Sequence, residues 1–208
     1  MARYTGPKFK LCRREGLNLF GTEKYNIKKR KTLPGQHGAN TARLSEYGKL
    51  LRNKQVLKRL FQMNEKQFAK LVTTVSKTYA KNNGLNHDKV LVQFLMRRLD
   101  NVVLQSGYAK TIMQARQMVV HGHFLLNGKK HNVPSYYVQK GDVITLKSAL
   151  QSSELYAVDN NQQSPLWLNV NKWAFTFTVI DLPNTDSIED SLSLPADVLK
   201  VIEFYARA

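Results

Sequence analysis

Five histidines, one cysteine and fifteen acids are the side chains with which this chain of 208 residues could do chemistry. Their densest cluster is VVHGHFLLNGKK, Val119 to Lys130, where His121 and His123 flank Gly122 and two lysines follow Asn127-Gly128. Zinc needs three or four ligands, and histidines at i and i+2 supply at most two. His131, Asp142 and the distant Cys12 do not stand at metal-type spacing from that pair. The other reading makes His121-Gly-His123 a helix-to-strand turn in a scaffold that grips an anion. Asp100, after Arg97-Arg98-Leu99, reads as a buried partner or a helix cap, and no two acids are placed for acid–base work. There is no Gly-x-Ser-x-Gly, no P-loop and no Gly-x-Gly-x-x-Gly. The expectation is no enzyme, no metal and no cofactor.

Anion binding uses the same letters better. Arg98 and Arg116, with Lys129 and Lys130, offer cations from three elements of one module. A helix start near Thr111 adds backbone donors. Tyr4, Tyr47, Tyr108, Tyr136 and Tyr137 offer planes for sugars or unstacked bases. The charge is +17 and uneven: residues 1–60 hold 16 Lys and Arg against 3 acids, whereas residues 151–208 hold 3 against 8. Such a field faces a polyanion, commonly nucleic acid, and phosphate binding alone does not separate RNA from DNA. A lone cysteine excludes an internal disulfide and points to a reducing compartment. No apolar run of 18 residues exists to span a membrane. The first 31 residues carry ten Lys or Arg and no apolar core of a secretory signal.

The elements that must position these groups follow from periodicity. Residues 1–44, broken by Gly6-Pro7, Gly16, Gly21 and Pro34-Gly35, read as an extended basic arm that orders against a partner. From Ser45 a helix places Tyr47, Leu50, Leu51, Leu57, Leu60 and Phe61 on one face and Lys49, Arg52, Lys54, Lys58 and Arg59 on the rest. A second helix opens with Asn64-Glu-Lys-Gln67, carries Phe68, Leu71, Val72, Val75 and Tyr79, and ends at Asn83-Gly84. Asp88 caps a third with Leu91, Leu95 and Leu99 on one side. Thr111 to Gln114 caps a short helix that Gly122 ends in left-handed backbone, and Asn127-Gly128 turns a hairpin between Phe124–Leu126 and Lys129–Val133. After the turn Lys140-Gly141-Asp142, Val143–Leu146 forms a strand, so residues 93–147 make a helix–helix–hairpin–strand module. Residues 148–165 read as a linker, Trp173 to Val179 as a strand, and Pro195 to Tyr205 as a closing helix. The acidic C-terminal segment is expected to pack back on the basic helices.

Short motifs recur in order along nearly the whole chain: ARYTGP from Ala2, RREG from Arg13, PGQHG from Pro34, LSEYG from Leu44, EKQF from Glu65, RLDNVV from Arg98, ARQ from Ala115, HGH from His121, VPSY from Val133, Gly141-Asp142 and EFY from Glu203. Each is weak alone; as an ordered set they are specific. The chain resembles the small-subunit ribosomal protein S-four family. That resemblance implies an α+β fold: a helical domain with an inserted small helix–helix–β-hairpin RNA-binding module (the S-four-type domain) and a basic extended N-terminal arm. On this sequence the arm is 1–44, the helical domain 45–92 completed by 166–208, and the inserted module with its linker 93–165.

The resemblance further implies a structural protein that binds the five-prime domain of small-subunit rRNA, nucleates assembly and contributes to decoding accuracy. Its implied partners are that RNA, ribosomal proteins S-five and S-three, and mRNA at the channel through which it enters. It implies no membrane and no homo-oligomer. A match beginning at residue 2 leaves no room for a presequence, so the expected place is a ribosome in the cytoplasm or one encoded within an organelle. Together with the basic pattern it nominates as RNA contacts Arg3, Tyr4, Lys10, Arg13, Arg14, Gln36, His37, Arg43, Ser45, Tyr47, Arg52, Lys54, Lys58, Arg98, Lys110, Arg116, Gln117, His121, His123, Lys129, Lys130 and Ser135. The chain departs from the family in three places. Only Cys12 matches the four cysteines with which many members hold zinc, so a zinc-free arm is expected. Leu104-Gln105 stands where Tyr-Arg is usual, and Ile112 where arginine is common, which shifts the module's contacts toward Arg98, Lys110, Arg116 and Lys129. The linker after Lys147 is shorter and less basic than is typical. The alternatives are an RNA-modifying enzyme, which lacks a catalytic domain here, and a free-standing RNA-binding translational regulator.

Overall fold

The computed structural model describes residues 4–30, 32–39, 43–81, 86–153, 156, 164–183 and 196–207. The chain divides into two units, residues 1–91 with 194–208, and residues 92–193. Asn83-Gly84, Pro195 and Arg3 lie outside the described residues.

The first unit is helical: α1 (Lys8–Glu15), α2 (Glu46–Leu60), α3 (Glu65–Lys81), the start of α4 (His87–Met96), and α7 (Val198–Ala206). The α+β class stands, but the arm is not extended throughout. Residues 8–15 are helical because Cys12 is fully buried and Gly16, at φ +70°, lets Leu17 N–H close the helix on the Cys12 carbonyl. Ser45 caps α2, its hydroxyl accepting from Gly48 N–H at 3.2 Å. The apolar stripe of α3 buries Phe68, Leu71, Val72 and Val75. On α2 the faces differ from expectation: Tyr47 is 63% exposed, while Lys54 is buried. Lys54 is sequestered because α7 packs on α2 through Phe204 and Tyr205, and its ammonium lies 4.3 Å from the Phe204 ring centroid. The C-terminal segment thus returns to α2 by aromatic packing. Its described acids, Asp197 and Glu203, pair within α7 with Lys200 and Arg207.

The second unit contains α5 (Leu99–Gln105), α6 (Ile112–Val120) and a five-stranded antiparallel sheet ordered β2-β1-β3-β5-β4, with β1 Phe124–Leu126, β2 Lys129–Lys130, β3 Val143–Leu146, β4 Leu168–Asn171 and β5 Thr176–Val179. The third helix expected from Asp88 through Leu99 breaks in two. Arg98 takes extended backbone (ψ 135°) and forms a bridge with Tyr137, while Leu99 N–H bonds the Tyr136 carbonyl at 2.8 Å. Residues 166–183 also differ from expectation. They belong to this unit rather than to the helical domain, because β5 pairs with β3 (Ile144↔Phe177) and adds Phe177 and Val179 to the unit's core. Leu99, Val102, Val103, Met118, Phe124, Ile144, Trp167, Phe177 and Val179 form one core there. Tyr108 belongs to it too, 5.7 Å from the Phe177 ring and nearly fully buried, so it offers no plane to a base. Burial raises its phenol to about 12.

Candidate nucleic-acid interface

In the helical unit the arm and α2 enclose a groove of about 390 Å³ lined by Tyr4, Pro7, Lys10, Leu11, Arg14, Pro34, Arg52 and Arg59. Four of the nominated residues, Tyr4, Lys10, Arg14 and Arg52, meet here from two elements. Arg59 is a fourth cation, placed on the basic face of α2 by its spacing but not nominated as an RNA contact; it stands seven residues after Arg52, on the same helical face. Glu15 aims both guanidiniums. Its side chain is 1% exposed, with Oε1 accepting from Arg52 at 3.2 Å and from Arg59. Burial pushes this carboxyl up, and the charges of Arg59 and Arg52 oppose the shift. A single acid under four cations leaves the groove net positive. Tyr4 is 44% exposed at its wall. Such a groove suits a phosphate backbone with a ring for a sugar or base.

Other nominated residues of this unit serve the fold. Arg13 donates to the Thr32 and Leu33 carbonyls at 2.9 and 3.0 Å, stapling α1 to the segment that follows. Lys54 and Lys58 both pair with Glu65, at 2.7 and 2.8 Å, and Tyr205 hydroxyl donates to the same carboxylate at 2.8 Å. Burial would raise Glu65, but these three hydrogen bonds outweigh it and hold the group at about 2. Gln36 and His37 sit exposed in the turn that Gly38 closes on Leu33, and Arg43 is exposed before the Ser45 cap. Tyr47 leans on Phe204 with the rest of its ring open.

In the sheet unit the two nominated arginines part company with expectation. Arg98 is buried and bidentate to Asp100, at 3.2 and 2.9 Å, so its guanidinium is turned to an internal carboxylate rather than outward to a phosphate. Asp100 is fully buried and also receives Arg116, at 3.1 and 2.7 Å. The carboxylate therefore fixes Arg116, whose side chain is 14% exposed, rather than leaving it to swing toward a ligand. The exposed nominees are Lys110, Gln117, His121, Lys129, Lys130 and Ser135. Thr111 caps α6 by accepting from Gln114 N–H, and the Gln114 amide reaches back to Lys110 N–H at 2.9 Å.

The HGH turn now has a geometry. Gly122 ends α6 at φ +65°, and Asn127 (+48°) and Gly128 (+79°) make the two-residue hairpin turn. The Lys130 stem crosses Gly122 so closely that a Cβ there would stand 2.6 Å from Lys130 Cε, which holds Lys130 beside the end of α6. His121 bonds Gln117 at 2.9 Å, and His123 Nδ1 bonds the Tyr156 hydroxyl. Burial lowers His123, aided by the charges of His121 and Lys147. Among the described residues no three His, Cys, Asp or Glu side chains come together as a metal would need.

Comparison with known proteins matches residues 3–96 to the family described as "Ribosomal protein S4/S9 N-terminal domain" and residues 97–144 to that described as "S4 domain". The chain is 41% identical to "Small ribosomal subunit protein uS4" of Thermotoga petrophila, with 100% of both chains covered. Proteins of the same name from Petrotoga mobilis and Dictyoglomus thermophilum are each 40% identical, again over 100% of both chains.

Proposed function

This chain belongs to the ribosomal protein S-four family, and on that premise we propose that it is a structural component of the small ribosomal subunit that binds the five-prime domain of small-subunit rRNA. The observation that carries the RNA-binding reading is the cationic groove of Lys10, Arg14, Arg52 and Arg59, aimed by one buried carboxylate and walled by Tyr4. The exposed Lys110, Gln117, His121, Lys129, Lys130 and Ser135 of the sheet unit supply a second set of contacts. In the same proposal the protein nucleates assembly and contributes to decoding accuracy beside the channel where mRNA enters, next to S-five and S-three. The proposed location is the ribosome, in the cytoplasm or within an organelle. No catalytic step is assigned to it.

The test is binding of purified protein to a five-prime-domain rRNA fragment and to an arbitrary duplex across a salt series. The reading expects the fragment to be preferred at physiological salt, with log K falling by about 0.7–0.9 per phosphate contact per log unit of salt. Equal affinity for both RNAs would refute it. Co-sedimentation with small subunits, rather than residence in the light fractions, separates a ribosomal component from a free-standing regulator.

A further inference from the structure

Trp173 is 95% exposed at the tip of the β4–β5 turn, outside the stretch that matches the S4 domain. Scattered apolar side chains on a surface are ordinary, but a whole indole left open forgoes one of the largest burial gains a residue offers. Its backbone is held by hydrogen bonds. Asn171 Oδ1 accepts from both Trp173 N–H and Ala174 N–H at 3.1 Å. Phe175 takes φ +51°, a conformation that costs a bulky residue strain, and its carbonyl accepts from Leu146 N–H at 2.9 Å while its ring packs on the core. Strain of that kind persists only where the surroundings over-determine it, and it gathers at functional positions.

The register shows what stands around the indole. Phe124 opens β1 opposite Leu146, the last residue of β3. Thr176, the first residue of β5, pairs with Thr145 and with Asn171, the last of β4. One end of the sheet therefore gathers the HGH turn, Lys147, Lys172 and Trp173, with Lys130 crossing Gly122 beside them. The acids Asp142 and Asp181 stand at the opposite end, where Val179 N–H meets the Asp142 carbonyl. No carboxylate joins the Trp173 end among the described residues. An open aromatic plane on a hydrogen-bonded turn, at the end of the sheet that carries Lys130 and Lys147, fits a nucleobase whose phosphates those cations meet.

We propose that Trp173 is a stacking platform for one unpaired nucleobase, a single-stranded RNA contact made by residues outside the groove, with Lys147 meeting a flanking phosphate. The proposal rests on the RNA-binding reading above and adds the kind of RNA recognised. The chain has two tryptophans, and Trp167 is buried, so the fluorescence accessible to acrylamide reports on Trp173.

The experiment titrates the full chain with a short unstructured RNA, with a duplex of equal length and with the five-prime-domain fragment. Unstructured RNA is expected to quench the accessible fluorescence and protect it from acrylamide. Trp173→Ala should weaken that binding by roughly 5- to 100-fold, with Trp173→Phe in between and the duplex affinity unchanged. Because the indole is exposed, an unchanged thermal melt shows that the variant is folded. No quenching together with unaltered affinity of Trp173→Ala for unstructured RNA overturns the platform; the RNA-binding reading survives if the rRNA fragment still binds. Wild-type protein that binds none of the three overturns that reading instead. Protection of Trp173 by small-subunit proteins but not by RNA assigns the indole to a protein interface and also sinks the proposal.

Discussion

Asp100 holds two guanidiniums at once, Arg98 at 2.9 Å and Arg116 at 2.7 Å, and none of its side chain reaches the surface. Removing one partner from a buried ionic cluster leaves the others without compensation. Asp100→Ala is accordingly expected to cost about 3–5 kcal/mol in chemical denaturation, against less than about 0.5 kcal/mol for the exposed Lys10→Ala. A small loss for Asp100→Ala would show that the cluster is not structural. Glu65 predicts a pH effect of definite sign. Its carboxyl is lowered from 4.5 to about 2 in the fold, so its contribution is complete above about pH 4.5 and lost as pH falls toward 2. Acid unfolding of Glu65→Gln should be flatter than wild type across that window. Equal slopes would show that Lys54, Lys58 and Tyr205 do not stabilise the ionised form. Because the Glu65 side chain is 47% exposed, solvent screening keeps the effect modest.

At the scale of elements, α6 and the hairpin after it rest on local signals that also act at a distance. Thr111 supplies the α6 cap, and Thr111→Ala should cost about 1 kcal/mol, read as a shift in the denaturation midpoint. Gly122 is needed twice, for its φ of +65° and for the Lys130 stem that passes over it. Gly122→Ala is expected to destabilise by about 1–2 kcal/mol and to push Lys130 off the end of α6. Unchanged stability together with an unshifted Lys130 amide resonance would contradict this. Asn127 also does more than turn the chain. Its amide donates to Asp142 at 2.9 Å and its carbonyl accepts from Val143 N–H at 2.9 Å, locking the hairpin to the start of β3.

For the whole molecule, the +17 charge is unequally useful. Arg13, Lys54, Lys58 and Arg98 are spent on internal partners, so a count of basic residues overstates the phosphate contacts. Substituting Lys10 or Arg14 should lower the slope of log K against log salt by about one per residue with little change in stability. Substituting Arg98 should do the reverse, lowering stability and leaving the slope of the folded fraction alone. A full unit lost from the slope in folded Arg98→Ala would mean that this guanidinium leaves Asp100 to meet RNA.

The sequence by itself determined what short-range rules govern. Periodicity, caps and turn chemistry placed α2, α3, α6, the Asn127-Gly128 turn and β3, because each depends on residues within a few positions of one another. The ordered motifs identified the family, and the excess of lysine and arginine over the first 150 residues pointed to a polyanion. Only the tertiary structure decided which cations face outward. Burial of Lys54 depends on Glu65 and Phe204 and on which face α7 covers, which no local spacing encodes. Asp100, two residues from Arg98, reads as a buried partner, but that both Arg98 and Arg116 converge on it is decided only by the packing of α6. The same limit applies to residues 166–183. Trp173 to Val179 reads as a strand from alternation, yet its membership in the sheet comes from pairing with β3 across some thirty residues. The break between α4 and α5 is likewise set by a backbone bond to Tyr136, a contact that exists only once the module has closed.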